Sequence, residues 1–400
     1  MLTETQLERY ADVLLWALKT ARSGRYYKGH VILIRYDRAA TRLAEILYRR
    51  VIDRGMHPIQ RATATPDMER VFYQGSNNRQ LTFRGPGETE LCEGLNGSIF
   101  LYAPESITHL SDVDPGRIGR AAVARKPLRD ILTRREEGGD FGWTLCAFPT
   151  AELARHANLD LKTYTDQIVR ACFLDAESPV AEWESVYKRA VAVKRWLNDL
   201  SIETLHVESD HVDLTVTPGR ERRWIGLSGH NIPSFEIFLS PDWRGTEGRY
   251  YANQPSFRSG NYVQGVTLDF KKGEVVEASA DTGEAFVKQQ LATDGGANRI
   301  GEFSLTDRRF SRIDRFMANT LFDENHGGEH GNCHLAVGAS YSDAYAGDAK
   351  TLTRARKRQL GFNDSAIHWD LVNTEPKRVT ARLQGGGTQV IYEEGRFTNV

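Results

Sequence analysis

The first third of the chain alternates between continuous apolar runs and segments with a helical stripe. Residues 5–20 are helical by period. "HVILIRYD", 30–37, is a near-continuous apolar strand. "DRAATRLAEILYRRVIDRG", 37–55, opens with an Asp that predicts an N-cap and closes on Gly, with Ala40, Leu43, Leu47 and Val51 on one face. "PIQRATA", 58–64, "GSIFLYAP", 97–104, and "GWTLCAFP", 142–149, are further strand candidates. Strands and helices in turn predict an α/β domain with a mostly parallel sheet, over residues 1–178.

Near residue 179 the texture changes. "PVAEWESVYKRAVAVKRWLNDL", 179–200, reads as one long helix. Short alternating pieces follow: "TLHVESDHVDLTVTPG", "FEIFLSP", "NYVQGVTLDFKKGEVVEASA", "NRIGEFSLT", "CHLAVGASY", "AIHWDLV" and "GGTQVIYEEGRFT". "KKGE" between two alternating runs is a hairpin signal. Residues 179–400 are therefore expected to form a β-rich α+β domain.

Polar residues interrupt these strands. In "NDSAIHWDLVN", His368 and Asp370 alternate with apolar neighbours, which puts them on one strand face, about 7 Å apart at their roots. Both reach one ion, or two neighbouring ions; the alternative is a hydrogen-bonded pair beside a core. Glu236 interrupts "NIPSFEIFLSP", Glu302 "NRIGEFSLT" and His334 "NCHLAVGASY", which Tyr341 closes. Taken singly, each is an ordinary strand or core residue. Together, three carboxylates and two imidazoles without a thiolate suit Zn, Mn, Co or Fe rather than a structural cysteine site.

Composition narrows the class. Four hundred residues with 26% charged positions and a net charge of −1 disfavour a basic nucleic-acid binder. No apolar run approaches eighteen residues, so no membrane span is expected, and the acidic, amphipathic start does not read as a secretory signal. Cys92, Cys146, Cys172 and Cys333 are scattered, as free thiols of a cytoplasmic protein would be. The sequence lacks GxGxxG after the first strand, the GxxxxGK[ST] loop, GxSxG and HExxH, which disfavours dinucleotide, P-loop, serine-hydrolase and single-zinc protease chemistry. The basic clusters "RRW", 222–224, and "RARKR", 354–358, remain. The second reads as a solvated helix or loop, or as an anchor for a substrate carboxylate.

Six segments in order, "NIPSFEIFLSP", "ASADTGE", "IGEFSLT", "NTLFDEN", "CHLAVGASY" and "NDSAIHWD", resemble the metal-dependent aminopeptidases typified by aminopeptidases T and S, and the resemblance covers nearly the whole chain. It implies a cytoplasmic homodimer that releases N-terminal residues from peptides with two divalent ions (Zn, Co, Mn or Mg). It implies Glu236, Glu302, His334, His368 and Asp370 as metal ligands, with Glu302 bridging. Tyr341 would stand beside the metals. Glu324, in "FDEN", would be a ligand, a partner of one, or the general base. Phe235 departs from the family's usual Gly and is expected to narrow the substrate pocket. "DENHGGEHGNCH" is longer than usual and adds His326 and His330; these read as loop residues, with His330 a competitor of His334. Two other readings stay open. One is a mononuclear iron(II) ring-cleaving dioxygenase using His334, His368 and Asp370. The other is a non-catalytic relative.

Overall fold

The computed structural model describes residues 1–348 and 351–399. The chain forms two compact units. The first comprises 1–183, 228–234 and 259–261; the second comprises 184–227, 235–258 and 262–400.

The first unit is built on five parallel strands in the order His57–Ala62, Val31–Tyr36, Gly97–Tyr102, Gly142–Ala147 and Asn231–Ile232. Ile32 and Ile34 are fully buried at alternate positions of their strand. The helix Glu4–Ala21 begins with a reciprocal Thr3–Gln6 capping box and buries Leu7, Tyr10, Ala11, Val13, Leu14, Ala17 and Leu18, spaced three or four apart or adjacent along one face.

One expectation fails here, and one element carries no sequence signal. Asp37 makes no side-chain capping bond to the helical segment that follows it. Its carboxylate instead accepts from the Ala103 amide at 2.7 Å and from the Thr63 hydroxyl, so it fastens neighbouring strand ends together. A long helix, Pro115–Glu137, was also not legible: it buries only Ala121 and therefore carries no apolar stripe.

The second unit contains an eight-stranded antiparallel sheet. The expected "KKGE" hairpin is present: Lys271 pairs with Glu274, and Lys272 and Gly273 both take positive φ, as a two-residue turn requires. A four-stranded antiparallel sheet runs His368–Asn373, Asn332–Gly338, Ile300–Thr306, Glu236–Leu239. One set of alternate residues in it is apolar and buried, including Ile237, Phe303, Leu305, Leu335, Val337 and Leu371. The Tyr250 hydroxyl, from the eight-stranded sheet, donates to the Leu371 carbonyl at 2.7 Å and so ties the two sheets together.

Candidate metal centre

The four-stranded sheet carries its polar residues on one face by strand alternation. Glu236, Glu302, His334, His368 and Asp370 fall on the set opposite the apolar one. The register then brings them together. Thr306 pairs with Glu236, Ser304 with His334, Gly338 with His368, and Ala336 with both Glu302 and Asp370. The cross-strand neighbours Thr306, Ser304, Ala336 and Gly338 are small, so the long acidic and imidazole side chains lean over them into a shared space.

The His334 Nε2 lies 3.0 Å from Glu302 Oε1, 3.2 Å from Glu236 Oε2 and 4.0 Å from Asp370 Oδ1. The His368 Nε2 lies 3.2 Å from Asp370 Oδ1 and 3.8 Å from Glu302 Oε2. Glu302 thus presents one oxygen to each imidazole. The His368 Nδ1 donates to the Ala339 carbonyl at 2.8 Å, which fixes the ring and leaves Nε2 facing the carboxylates. His334 lacks the equivalent outer partner: its Nδ1 is buried without a hydrogen bond among the described residues. Trp369 points the other way, buried, with Nε1 donating to Ser256 Oγ at 3.1 Å.

Burial of so many acids in one place shapes their protonation. Burial, and then the Glu236 charge, push the Glu302 carboxyl up to about 7 despite the two imidazoles. Burial drives Glu324 well above the usual carboxylate range, and Glu236, Asp370 and Glu302 add to it. At Asp370 burial is outweighed by His368, which holds the carboxylate down at about 2. At His368 burial is outweighed by Asp370 and Glu302, which lift it to about 9. The Tyr341 ring lies against His368, centroids 4.7 Å apart and planes tilted by 59°, and remains 43% exposed. The centre thus gathers four carboxyl groups and two imidazoles whose protons a bound cation would displace.

The donor set fits a divalent metal. Ligand atoms of Glu236, Glu302 and His334 lie within 4.8 Å of one another, and all three residues are buried. Carboxylate and imidazole donors without thiolate suit hard to borderline ions. With no bond to Nδ1 among the described residues, the neutral ring can carry its proton there and leave the Nε2 lone pair facing the carboxylates for a cation.

The additional candidates separate. Glu324 is buried beside this cluster, with Asn325 Nδ2 3.4 Å from its Oε1. His330 is half-exposed, 3.9 Å from Glu329. It lines a different cleft of about 490 Å³ with Glu208, Arg308 and Lys377, so it does not compete with His334. His326 is largely buried, and burial lowers its basicity. Phe235 is fully buried and presents no ring surface to an open pocket, contrary to the expectation that it narrows one. "RARKR" begins the helix Arg354–Leu360, where Arg354 pairs with Asp364, Arg356 with Glu221, and Lys357 donates to Ser342. That supports the solvated helix over the substrate anchor.

Three polar residues escaped the sequence reading. Ser304 donates to Glu236 Oε2 at 3.4 Å, and its spacing of two from Glu302 was the available signal. Arg258 donates to the His368 carbonyl at 2.9 Å and helps hold Asp370 ionised; no local pattern marks it. Asn325 was visible only as the residue following Glu324.

Comparison with known proteins agrees with this architecture. Aminopeptidase PepS of Streptococcus thermophilus is 26% identical over 387 residues, covering 92% of this chain and 91% of that protein. Aminopeptidase 2 of Geobacillus stearothermophilus is 30% identical over 329 residues, 77% of each chain. Aminopeptidase T of Thermus aquaticus is 30% identical over 307 residues, 72% of this chain and 73% of that one. The structure of wild-type AmpT from Thermus thermophilus superposes with a TM-score of 0.80 at 22% identity, over 98% of this chain and 99% of that one, which shows the shared fold. The sequence matches the thermophilic metalloprotease (M29) family over residues 3–397, and the chain belongs to that family.

Proposed function

We propose that this metallo-aminopeptidase removes N-terminal residues from peptides, using two divalent cations held by Glu236, Glu302, His334, His368 and Asp370. The observation that carries the proposal is Glu302, whose Oε1 faces His334 at 3.0 Å and whose Oε2 faces His368 at 3.8 Å. A carboxylate shared between two imidazoles suits two adjacent subsites, with Glu302 common to both. Glu236 joins it on the His334 side, and Asp370 on the His368 side.

When bound, divalent cations supply Lewis acidity, which makes hydroxide available near neutral pH and polarises a carbonyl. The remaining work falls to the chain. Glu324, buried beside the cluster, accepts the nucleophile's proton and returns it to the leaving amine. Tyr341, exposed on one side and in tilted ring contact with His368, donates its hydroxyl to the developing oxyanion. The acidic lining favours a substrate's amino end over its carboxylate, which makes cleavage an exo process. Metal preference among Zn, Co, Mn and Mg follows from supply as well as donor set.

An iron(II) facial triad of His334, His368 and Asp370 would leave Glu236 and Glu302 without a role, so the hydrolytic reading is preferred. Homodimerisation and a cytoplasmic location belong to the same proposal; the first rests on the resemblance, the second also on four free cysteines. No helix among the described residues is long and apolar enough to cross a membrane. The test is hydrolysis of a panel of aminoacyl-p-nitroanilides after chelation and readdition of single metals, with metal counted per chain. Two Zn, Mn or Co per active chain is expected. One Fe, or activity indifferent to chelation, overturns the proposal.

A further inference from the structure

We infer that Asn325 is the positioning residue that sets Glu324 against Glu236 across the metal centre. Its side chain is fully buried, and every hydrogen-bonding direction of its amide has a partner. Oδ1 accepts from the Phe235 amide at 2.5 Å and from the Glu236 amide at 3.1 Å. Nδ2 donates to the Leu321 carbonyl at 2.9 Å and reaches Glu324 Oε1 at 3.4 Å. Two N–H donors on one side and a carbonyl on the other fix which end of the amide is oxygen.

The consequence is geometric. The Glu236 strand starts at Glu236 itself, and its first amide is pinned by Asn325 rather than by a strand neighbour. Glu324 sits at the end of the short helix Thr320–Asp323 as its C-cap. One amide therefore holds the root of a candidate ligand and the carboxyl of the candidate base, two groups 88 residues apart by their numbering (324 − 236). Aspartate at 325 would keep both accepted bonds, lose both donated ones and set a like charge against Glu324. Glutamine would be one methylene too long for a closed, fully buried site.

This inference rests on the functional reading above and is tested by a double-mutant cycle of Asn325→Asp and Glu324→Gln, with zinc affinity measured by calorimetry on chelator-stripped protein beside kcat and KM. Asn325→Asp is expected to lower kcat 10- to 100-fold with KM within about threefold, and to weaken zinc binding about tenfold. In the Glu324→Gln background the same substitution is expected to add less than about twofold to either loss, because its effect passes through Glu324. Losses that multiply in the double variant, or wild-type kcat and zinc affinity in Asn325→Asp, overturn the assignment. If Asn325→Asp does not melt cooperatively, Asn325→Ser, which also gives up the bonds from the Phe235 and Glu236 amides, is expected to weaken zinc binding in the Glu324→Gln background too, and unchanged zinc affinity there overturns the assignment. Failure of the underlying reading looks different: the wild-type protein itself would bind no zinc and show no metal-dependent hydrolysis.

Discussion

Glu302 and Asp370 stand on opposite sides of the same residue: both pair with Ala336, each from a neighbouring strand. Only a methyl group separates the roots of two carboxylates aimed into one space. The site's room is therefore set by a residue that ligates nothing. Ala336→Val is expected to lower metal occupancy and to reduce kcat/KM more than about tenfold with every ligand intact, while Ala336→Gly stays within a few-fold of wild type. Full metal content in the valine variant, by elemental analysis, would remove Ala336 from this role.

Glu302→Gln replaces one of two facing oxygens with a donor and removes the charge. Turnover is expected to fall at least about 10³-fold and metal content to drop at both subsites, while the fold persists. Normal activity in this variant would exclude Glu302 from the mechanism. The metal-free variant is expected to melt higher than metal-free wild type, since a buried acid crowded by Glu236 has gone.

Tyr341→Phe keeps the ring contact with His368 and deletes only the hydroxyl. Loss of one oxyanion donor costs about 3 kcal/mol, or 10²–10³ in kcat, with KM little changed. A KM effect alone would make Tyr341 a substrate-binding residue instead.

His330→Ala is expected to leave kcat/KM within about twofold, because its ring lies by Glu329 in a separate cleft. His334→Ala should abolish metal-dependent activity. Reversal of the two outcomes would exchange their assignments.

Stability of the metal-free protein is expected to fall as pH rises from about 4 to 9. Asp323 is lifted by burial from 3.8 to about 8, Glu302 from 4.5 to about 7 and His368 from 6.5 to about 9. In each case the folded chain holds a proton that the unfolded chain releases earlier, so the stabilising contribution is complete below the unfolded value and gone above the folded one. Asp370, held at about 2, acts oppositely, and only on acidification below 3.8. Metal affinity should move the other way and strengthen with pH, since ligation requires those protons to leave. Thermal midpoints across pH, with and without zinc, check both signs; a flat metal-free profile would contradict the first.

Much of this centre was legible in the sequence because strand alternation is a two-residue code. His368 and Asp370 flank an inward Trp369 in the chain as they do in the fold. Glu302 and His334 were visible as charged or titratable breaks in otherwise apolar strands. What alternation cannot supply is register, so the common partner Ala336 and the division of the Glu302 oxygens between two imidazoles had no signature. Asn325 had none either, since apart from the adjacent Glu324 carboxylate its partners are main-chain groups at Phe235, Glu236 and Leu321. Asp37 resembled a cap because an Asp before a helical stripe usually is one; the competing bonds to Thr63 and Ala103 come from distant segments. The Pro115–Glu137 helix escaped because it has almost no inward side to betray it.

The centre is collected from Glu236, Glu302, His334 and the 368–370 pair, each delivered by a different strand of one small sheet. No single strand or hairpin contains it, and its residues span 236 to 370. Cations seated there would stitch together long intervening loops, as cross-links do, and favour the closed sheet over any partly assembled one. Metal uptake would then report completion of folding, and a truncated or circularly cut chain would lose its ions before it lost its helices.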